Sequence, residues 1–90
     1  MLGRLERFKR YPAFARFDRQ QGIAYVRFVM NRDGRVLSAR IERSSGYALL
    51  DEETLALVRR AEPLPKPPPE VAGDTLELVV PVEFSLNRRR

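Results

Sequence analysis

Residues 76–86, Leu-Glu-Leu-Val-Val-Pro-Val-Glu-Phe-Ser-Leu, constrain the fold of this chain more than any other stretch. Leu76, Leu78, Val80, Val82, Phe84 and Leu86 fall on one side of a period-2 pattern, and Glu77, Val79, Pro81, Glu83 and Ser85 fall on the other. Such sustained alternation predicts one long strand with a buried side and a solvent-facing side. Pro81 stands in its middle and has no N–H to give a ladder, so the strand belongs at a sheet edge. A long edge presents unpaired backbone, which proteins either blunt or use to bind another strand. Pro81, Glu77 and Glu83 fit blunting. Docking is the other reading: if Pro81 faces outward, so do the backbone groups of Val79, Glu83 and Ser85. The residues alone leave both readings open.

The rest of the chain predicts what this edge lies against. Leu2, Leu5, Phe8 and Lys9 at helical spacing, with Arg4, Arg7 and Arg10 between them, predict a short basic helix within residues 1–10, ending before Pro12. Pro12 then opens a second short helix, Ala13 to Arg19, which Gly22 ends. Ile23 to Met30 alternates again, with Ala24, Val26, Phe28 and Met30 as its apolar face. Asn31-Arg32-Asp33-Gly34 reads as a hairpin loop in which Gly34 takes a positive φ. Val36 to Ser44 is the returning strand, with Leu37, Ala39 and Ile41 inward, and adjacent Val36 and Leu37 suggest a bulge at its start. Asp51 reads as the N-cap of a helix, with Leu50 and Leu55 as a hydrophobic staple. Leu55, Val58 and Ala61 then face the core, and Glu62-Pro63 ends the helix. Five prolines within residues 63–69 make an extended connector, and Gly73-Asp74 turns into the last strand.

The predicted class is therefore α+β: one domain over residues 1–90, a three-stranded antiparallel or mixed sheet in order 2-1-3, and helices packed on one face. This order places the Pro81 strand at an edge without reference to its proline. Asn87 to Arg90 read as a flexible basic tail.

Composition narrows the chemistry. The chain has no cysteine and no histidine, which removes disulfides, the commonest metal ligand and the commonest neutral-pH general base. No carboxylate cluster has metal spacing and no Gly-rich phosphate loop is present. Glu52 and Glu53 read as helix-start residues, and Ser44-Ser45-Gly46 as a strand-ending turn. We therefore expect no enzyme, no catalytic residue, no cofactor and no metal. The net charge of +5 is unevenly placed: residues 1–43 hold eleven Lys/Arg against four Asp/Glu, and residues 44–86 hold three against eight. Arginines interleaved with Tyr11, Phe14, Phe17, Tyr25 and Phe28 would suit a single-stranded nucleic acid. Our expectation is instead that most of these aromatics are core and that no nucleic acid is bound. No run of about 18 apolar residues is present, so a membrane anchor is expected only in a longer, full-length protein.

Taken in order, the following features resemble the C-terminal domain of TonB energy transducers: Tyr11-Pro12; Gly22 with Ala24, Val26, Phe28 and Met30; Asp33-Gly34-Arg35-Val36; Ser44-Ser45-Gly46; Leu50-Asp51; Val58-Arg59-Arg60; the prolines; and Val80-Pro81-Val82-Glu83-Phe84. No single element is specific; the ordered set, from Tyr11 to about Leu86, is. The family often has an aromatic after the two arginines, where this chain has Ala61-Glu62-Pro63. The resemblance implies the periplasmic end of an inner-membrane-anchored protein of a Gram-negative bacterium. The N-terminal part of such a protein would engage the ExbB–ExbD proton channel. Its C-terminal domain would grip the TonB box of outer-membrane receptors for siderophores, haem or cobalamin by strand addition beside the final strand. That assigns Val79, Val80, Pro81, Val82, Glu83, Phe84 and Ser85 to the docking edge, and Tyr11, Pro12, Gln20 and Gln21 to contacts with the receptor plug. The family also implies strand-exchanged homodimers in short pieces. A TolA-like periplasmic interaction domain is the related alternative.

Overall fold

The structure, a computed structural model, describes residues 2–86. Its elements run α1 (Leu2–Phe8), α2 (Ala13–Phe17), β1 (Gly22–Asn31), β2 (Val36–Arg43), α3 (Ala48–Arg60) and β3 (Thr75–Phe84). The three strands form one sheet in the order β2-β1-β3, and β1 is antiparallel to both neighbours. The order is the one the sequence predicts, and the sheet is antiparallel throughout, not mixed.

The core lies where β1's period-2 pattern meets the helices. Ala24, Val26, Phe28 and Met30 are buried, as are Val80, Val82 and Phe84 of β3, and they pack with Leu50, Leu57 and Val58 of α3 and Leu5 of α1. Fully burying a side chain of this kind contributes roughly 1.5–3 kcal/mol. Losing Val80 or Val82, opposite Val26 and Ala24, therefore uncovers the sheet's interior.

The hairpin follows its turn chemistry. Gly34 has φ +88°, and Asn31 Oδ1 accepts the amides of Asp33 and Arg35 at 2.9 and 3.0 Å. A Cβ on Gly34 would come within 2.2 Å of the Leu64 carbonyl oxygen, because the Leu64 amide donates to the Gly34 carbonyl at 2.8 Å. Together with a bond from Arg32 to the Val71 carbonyl, this pins the Pro-rich connector to the tip of the hairpin. Leu64, buried between prolines, is a core residue that no periodicity announced.

Several local expectations are corrected. The second helix stops at Phe17, because Arg19 adopts φ +55° and the chain turns out of the helix there; Gly22 is the first residue of β1 rather than the terminator. The first helix ends at Phe8. The expected bulge is present, but it turns Leu37 outward. Val29 faces Ser38 while Met30 faces Val36, so Leu37 is the extra residue, 53% exposed, and Val36 takes the core position. A second register shift makes Glu42 the extra residue between Ile41 and Arg43. Asp51 is not the N-cap of α3, which begins at Ala48 after Tyr47, so the Leu50–Leu55 staple does not form and Leu50 is fully buried. The core face of α3 includes Thr54 and Leu57, while Leu55 is only half-buried. β2 ends at Arg43 and β3 at Phe84. The predicted tail, residues 87–90, and Met1 of the predicted first helix lie outside the described residues.

Candidate functional site

β3 pairs with β1 along its whole length, from Thr75 opposite Asn31 to Phe84 opposite Gly22, and among the described residues no strand pairs with its other edge. In an antiparallel ladder a residue's N–H and C=O point to the same edge, and the edge alternates from residue to residue. Two hydrogen bonds establish which residues face out. The Glu83 carbonyl accepts a bond from Lys9 Nζ at 2.5 Å, as an outward carbonyl on the same parity as Pro81 would. The Leu86 amide turns the other way and donates to Gln21 Oε1 at 2.9 Å, on the β1 side. Odd-numbered residues of β3 therefore address the open edge and even-numbered ones address β1. Pro81, opposite Tyr25, is on the outward parity, where its missing N–H leaves the β1–β3 ladder intact.

The side chains of this strand follow the same alternation. Val80, Val82 and Phe84 are buried and Leu76 and Leu78 are half-buried, whereas Glu77, Val79, Pro81, Glu83 and Ser85 are exposed, Val79 at 42%. On the open face Arg27 bridges the three strands, with Nε 2.8 Å from Glu42 and Nη1 3.2 Å from Glu77. The Glu42 hydrogen bond, foremost, raises the Arg27 pKa and holds Glu42 below its ordinary value. These are exposed pairs, screened by solvent, and they contribute little to stability. A shallow depression of about 350 Å³ between Tyr25, Glu42, Arg43 and Val79 lies beside them.

The C-terminal end of the edge is more crowded than the sequence suggested. Lys9 also pairs with Glu6 at 3.1 Å and sits 5.5 Å from the centroid of the Phe84 ring. Tyr11 packs edge-on against the same ring at 5.5 Å, and its hydroxyl donates to the Gln20 carbonyl. Burial raises the Tyr11 pKa, with Arg16 nearby acting in the opposite sense.

Of the four residues assigned to receptor-plug contacts, Tyr11 and Pro12 are half-buried and Gln20 is buried, its Oε1 without a hydrogen-bond partner among the described residues; Gln21 is exposed. Gln21 shares a depression of about 260 Å³ with Gly22, Ile23, Glu83, Phe84 and Ser85, so the structure does bring it to the predicted edge. Lys9 is the residue that sequence reasoning missed, since nothing in its spacing connects it with Glu83. Nor are most of the aromatics core. Phe28 is buried, Tyr11 and Tyr25 are half-buried, but Phe14 and Phe17 of α2 are 62% and 85% exposed. Among the described residues no helix is long and apolar enough to cross a membrane, and no three His, Cys, Asp or Glu side chains are grouped to hold a metal ion.

The model of the family described as Gram-negative bacterial TonB protein C-terminal matches residues 8–86. Protein TonB of Pseudomonas putida is 46% identical over 86 residues, covering 94% of this chain and 35% of that protein. Protein TonB of Pasteurella multocida is 40% identical over 91% of this chain and 31% of its own length. The chain thus spans about a third of the curated relatives it matches. Among solved structures, the solution structure of the Helicobacter pylori TonB C-terminal domain superposes with a TM-score of 0.81 at 26% identity, covering 98% of this chain and 78% of that one. The HasB C-terminal domain superposes at 0.62 with 47% identity, covering 96% and 66%.

Proposed function

The chain belongs to the family of TonB C-terminal domains, and we propose that it binds the TonB box of outer-membrane receptors by strand addition to the free edge of β3. In this reading it is the periplasmic end of an inner-membrane energy transducer whose N-terminal part engages ExbB–ExbD. Siderophore, haem or cobalamin uptake is the process served. The domain transmits force and carries out no reaction. The observation that supports docking over mere blunting is the backbone parity of β3. Its one proline falls where the missing N–H costs the internal ladder nothing, while the outward N–H and C=O groups at Glu77 and Val79 remain in an extended array. A bonded edge of this kind suits force transmission, because a pull along the strand loads several hydrogen bonds in parallel.

Val79, Val80, Pro81, Val82, Glu83, Phe84 and Ser85 form the proposed docking segment, with Gln21 beside it. The test is a titration of the isotope-labelled domain with a synthetic TonB-box peptide. Amides of residues 77–86 should shift progressively by NMR. Shifts confined to other regions, or none at millimolar peptide, would sink the proposal.

A further inference from the structure

We propose that the outer face of α2, where Phe14 and Phe17 stand among arginines, is a second docking surface that rests on an anionic phospholipid bilayer. It is built from residues that the β3 edge does not use, and it goes beyond the strand addition proposed above.

Successive residues of α2 step about 100° around the helix. Ala15 is its buried residue, so the helix lies on its Ala15 side. Phe17 is then turned about 160° from the buried side and points outward, as its 85% exposure requires. Phe14 is one step from Ala15 on one flank and 62% exposed, and Arg16 is one step away on the other flank and also exposed. Phe14 and Phe17 are three residues apart and share a face. Two adjacent, largely uncovered rings form a patch, which marks an interaction site as singly scattered apolar residues do not.

Charge indicates what covers the pair. Arg10, Arg16 and Arg19 are exposed, and none forms an ion pair with a described residue, whereas Arg27, Arg40 and Arg60 each lie against a glutamate. The Arg19 amide donates to the Arg16 carbonyl at 3.0 Å, which keeps these two cations at the same end of α2. Asp18, the one acid within residues 10–19, takes a bond from Gln20 Nε2 at 3.2 Å. A protruding apolar tip ringed by cations suits a bilayer, where rings enter the headgroup boundary and guanidinium groups meet phosphates. A protein segment or a nucleic-acid strand fits better into a groove, and the depressions lined by Asp33, Tyr25 and Gln21 include no residue of α2. The contact is small, so the binding is weak and reversible.

The test is co-sedimentation of the domain with vesicles of phosphatidylglycerol and phosphatidylethanolamine in equal parts, against vesicles of phosphatidylcholine. Binding to the anionic vesicles should be stronger by roughly tenfold or more, and this preference should fade as salt rises from about 50 to about 300 mM. Phe14→Ser and Phe17→Ser should each weaken it roughly tenfold. Arg16→Gln should weaken it roughly fivefold, and Arg16→Lys should stay near wild type. With a spin-labelled lipid in the vesicles, amides of residues 13–19 should broaden most by NMR, a map that requires no variant. No binding to anionic vesicles, broadening centred outside residues 10–19, or undiminished binding by a folded Phe14→Ser/Phe17→Ser double variant would overturn the proposal. Three other results would assign the patch elsewhere and overturn it too. A wild-type dimer that the double variant loses would give it to a second copy. Binding of an oligothymidylate more tightly than vesicles, lost in the same variant, would give it to nucleic acid. Binding of polyglutamate without vesicles would give it to an acidic protein. The double variant should keep its TonB-box shifts at residues 77–86, which separates failure here from failure of strand addition; their loss in a folded double variant would overturn the independence of the two surfaces.

Discussion

Individual polar residues tie the helical segments to one another and to the turn before α3. Glu53 is the clearest case. Its carboxylate takes two bonds from Arg60, at 2.8 and 2.9 Å, and another from the Arg10 amide at 2.9 Å, while Arg60 also donates to the Phe8 carbonyl at 2.7 Å. One side chain thus joins α3 to the segment after α1, and its own exposure is only 9%. The Glu53 hydrogen bond raises the Arg60 pKa, so the guanidinium stays charged at any accessible pH. Replacing Glu53 with alanine leaves that charge half-buried and unpaired; we expect a loss of about 2 kcal/mol by urea denaturation, with Glu53→Gln recovering part of it. Asp51 does a related job inside the first turn of α3. Partial burial acts to raise its pKa, but bonds from the Ser44 hydroxyl and the Ser45 amide and hydroxyl outweigh this, and the carboxyl lies below its ordinary value of 3.8. A depressed folded pKa means stability that is complete above 3.8 and lost as pH falls through the lower folded value. Thermal melts from about pH 6 to about pH 2 should therefore show Asp51→Asn less stable than wild type at the upper end, with the gap closing below the ordinary carboxylate value.

At the scale of the element, β3 is defined by which of its amides the sheet uses. Val80→Pro removes an inward N–H and strands its acceptor on β1, which should lower stability by about 2 kcal/mol or more. Val79→Pro removes an outward N–H and should leave the melting temperature nearly unchanged while abolishing TonB-box binding in the same NMR titration. Equal destabilisation by the two substitutions would mean that the parity is wrong. The parity of β3 was legible in the sequence because alternation and a proline point to the same arrangement. The positions of β1, the hairpin and Gly34 were legible for a similar reason: period-2 burial and turn chemistry are local. The start of α3 was not. Asp51 carries the signature of an N-cap, yet its carboxylate reaches back from within the helix to Ser44 and Ser45, and only the packing of Leu50 into the core decides between the two. Leu37 was misplaced because a bulge exchanges the faces of neighbouring residues, and the register of β2 against β1 is set by pairing, not by β2's own pattern.

For the whole molecule, the consequence is that the strand proposed for docking is also structural. The helices cover one side of the sheet, and β3 supplies Val80, Val82 and Phe84 to that same core. Deleting residues 75–86 should therefore abolish the cooperative thermal transition and collapse the dispersion of the amide spectrum, since a two-stranded remnant does not stand alone. Under the proposed function the last strand bears the load, and burial of Val80, Val82 and Phe84 anchors it. The amino-acid sequence by itself determined the class, the strand order and the outward proline, because hydrophobic period, turn residues and the missing proline N–H act over neighbouring residues whatever the rest of the chain does. Only the tertiary structure brought Lys9 to the Glu83 carbonyl. Lys9 and Glu83 are distant in the chain, and folding α1 against α3 carries the ammonium to the end of β3, a meeting set by packing that no local pattern encodes.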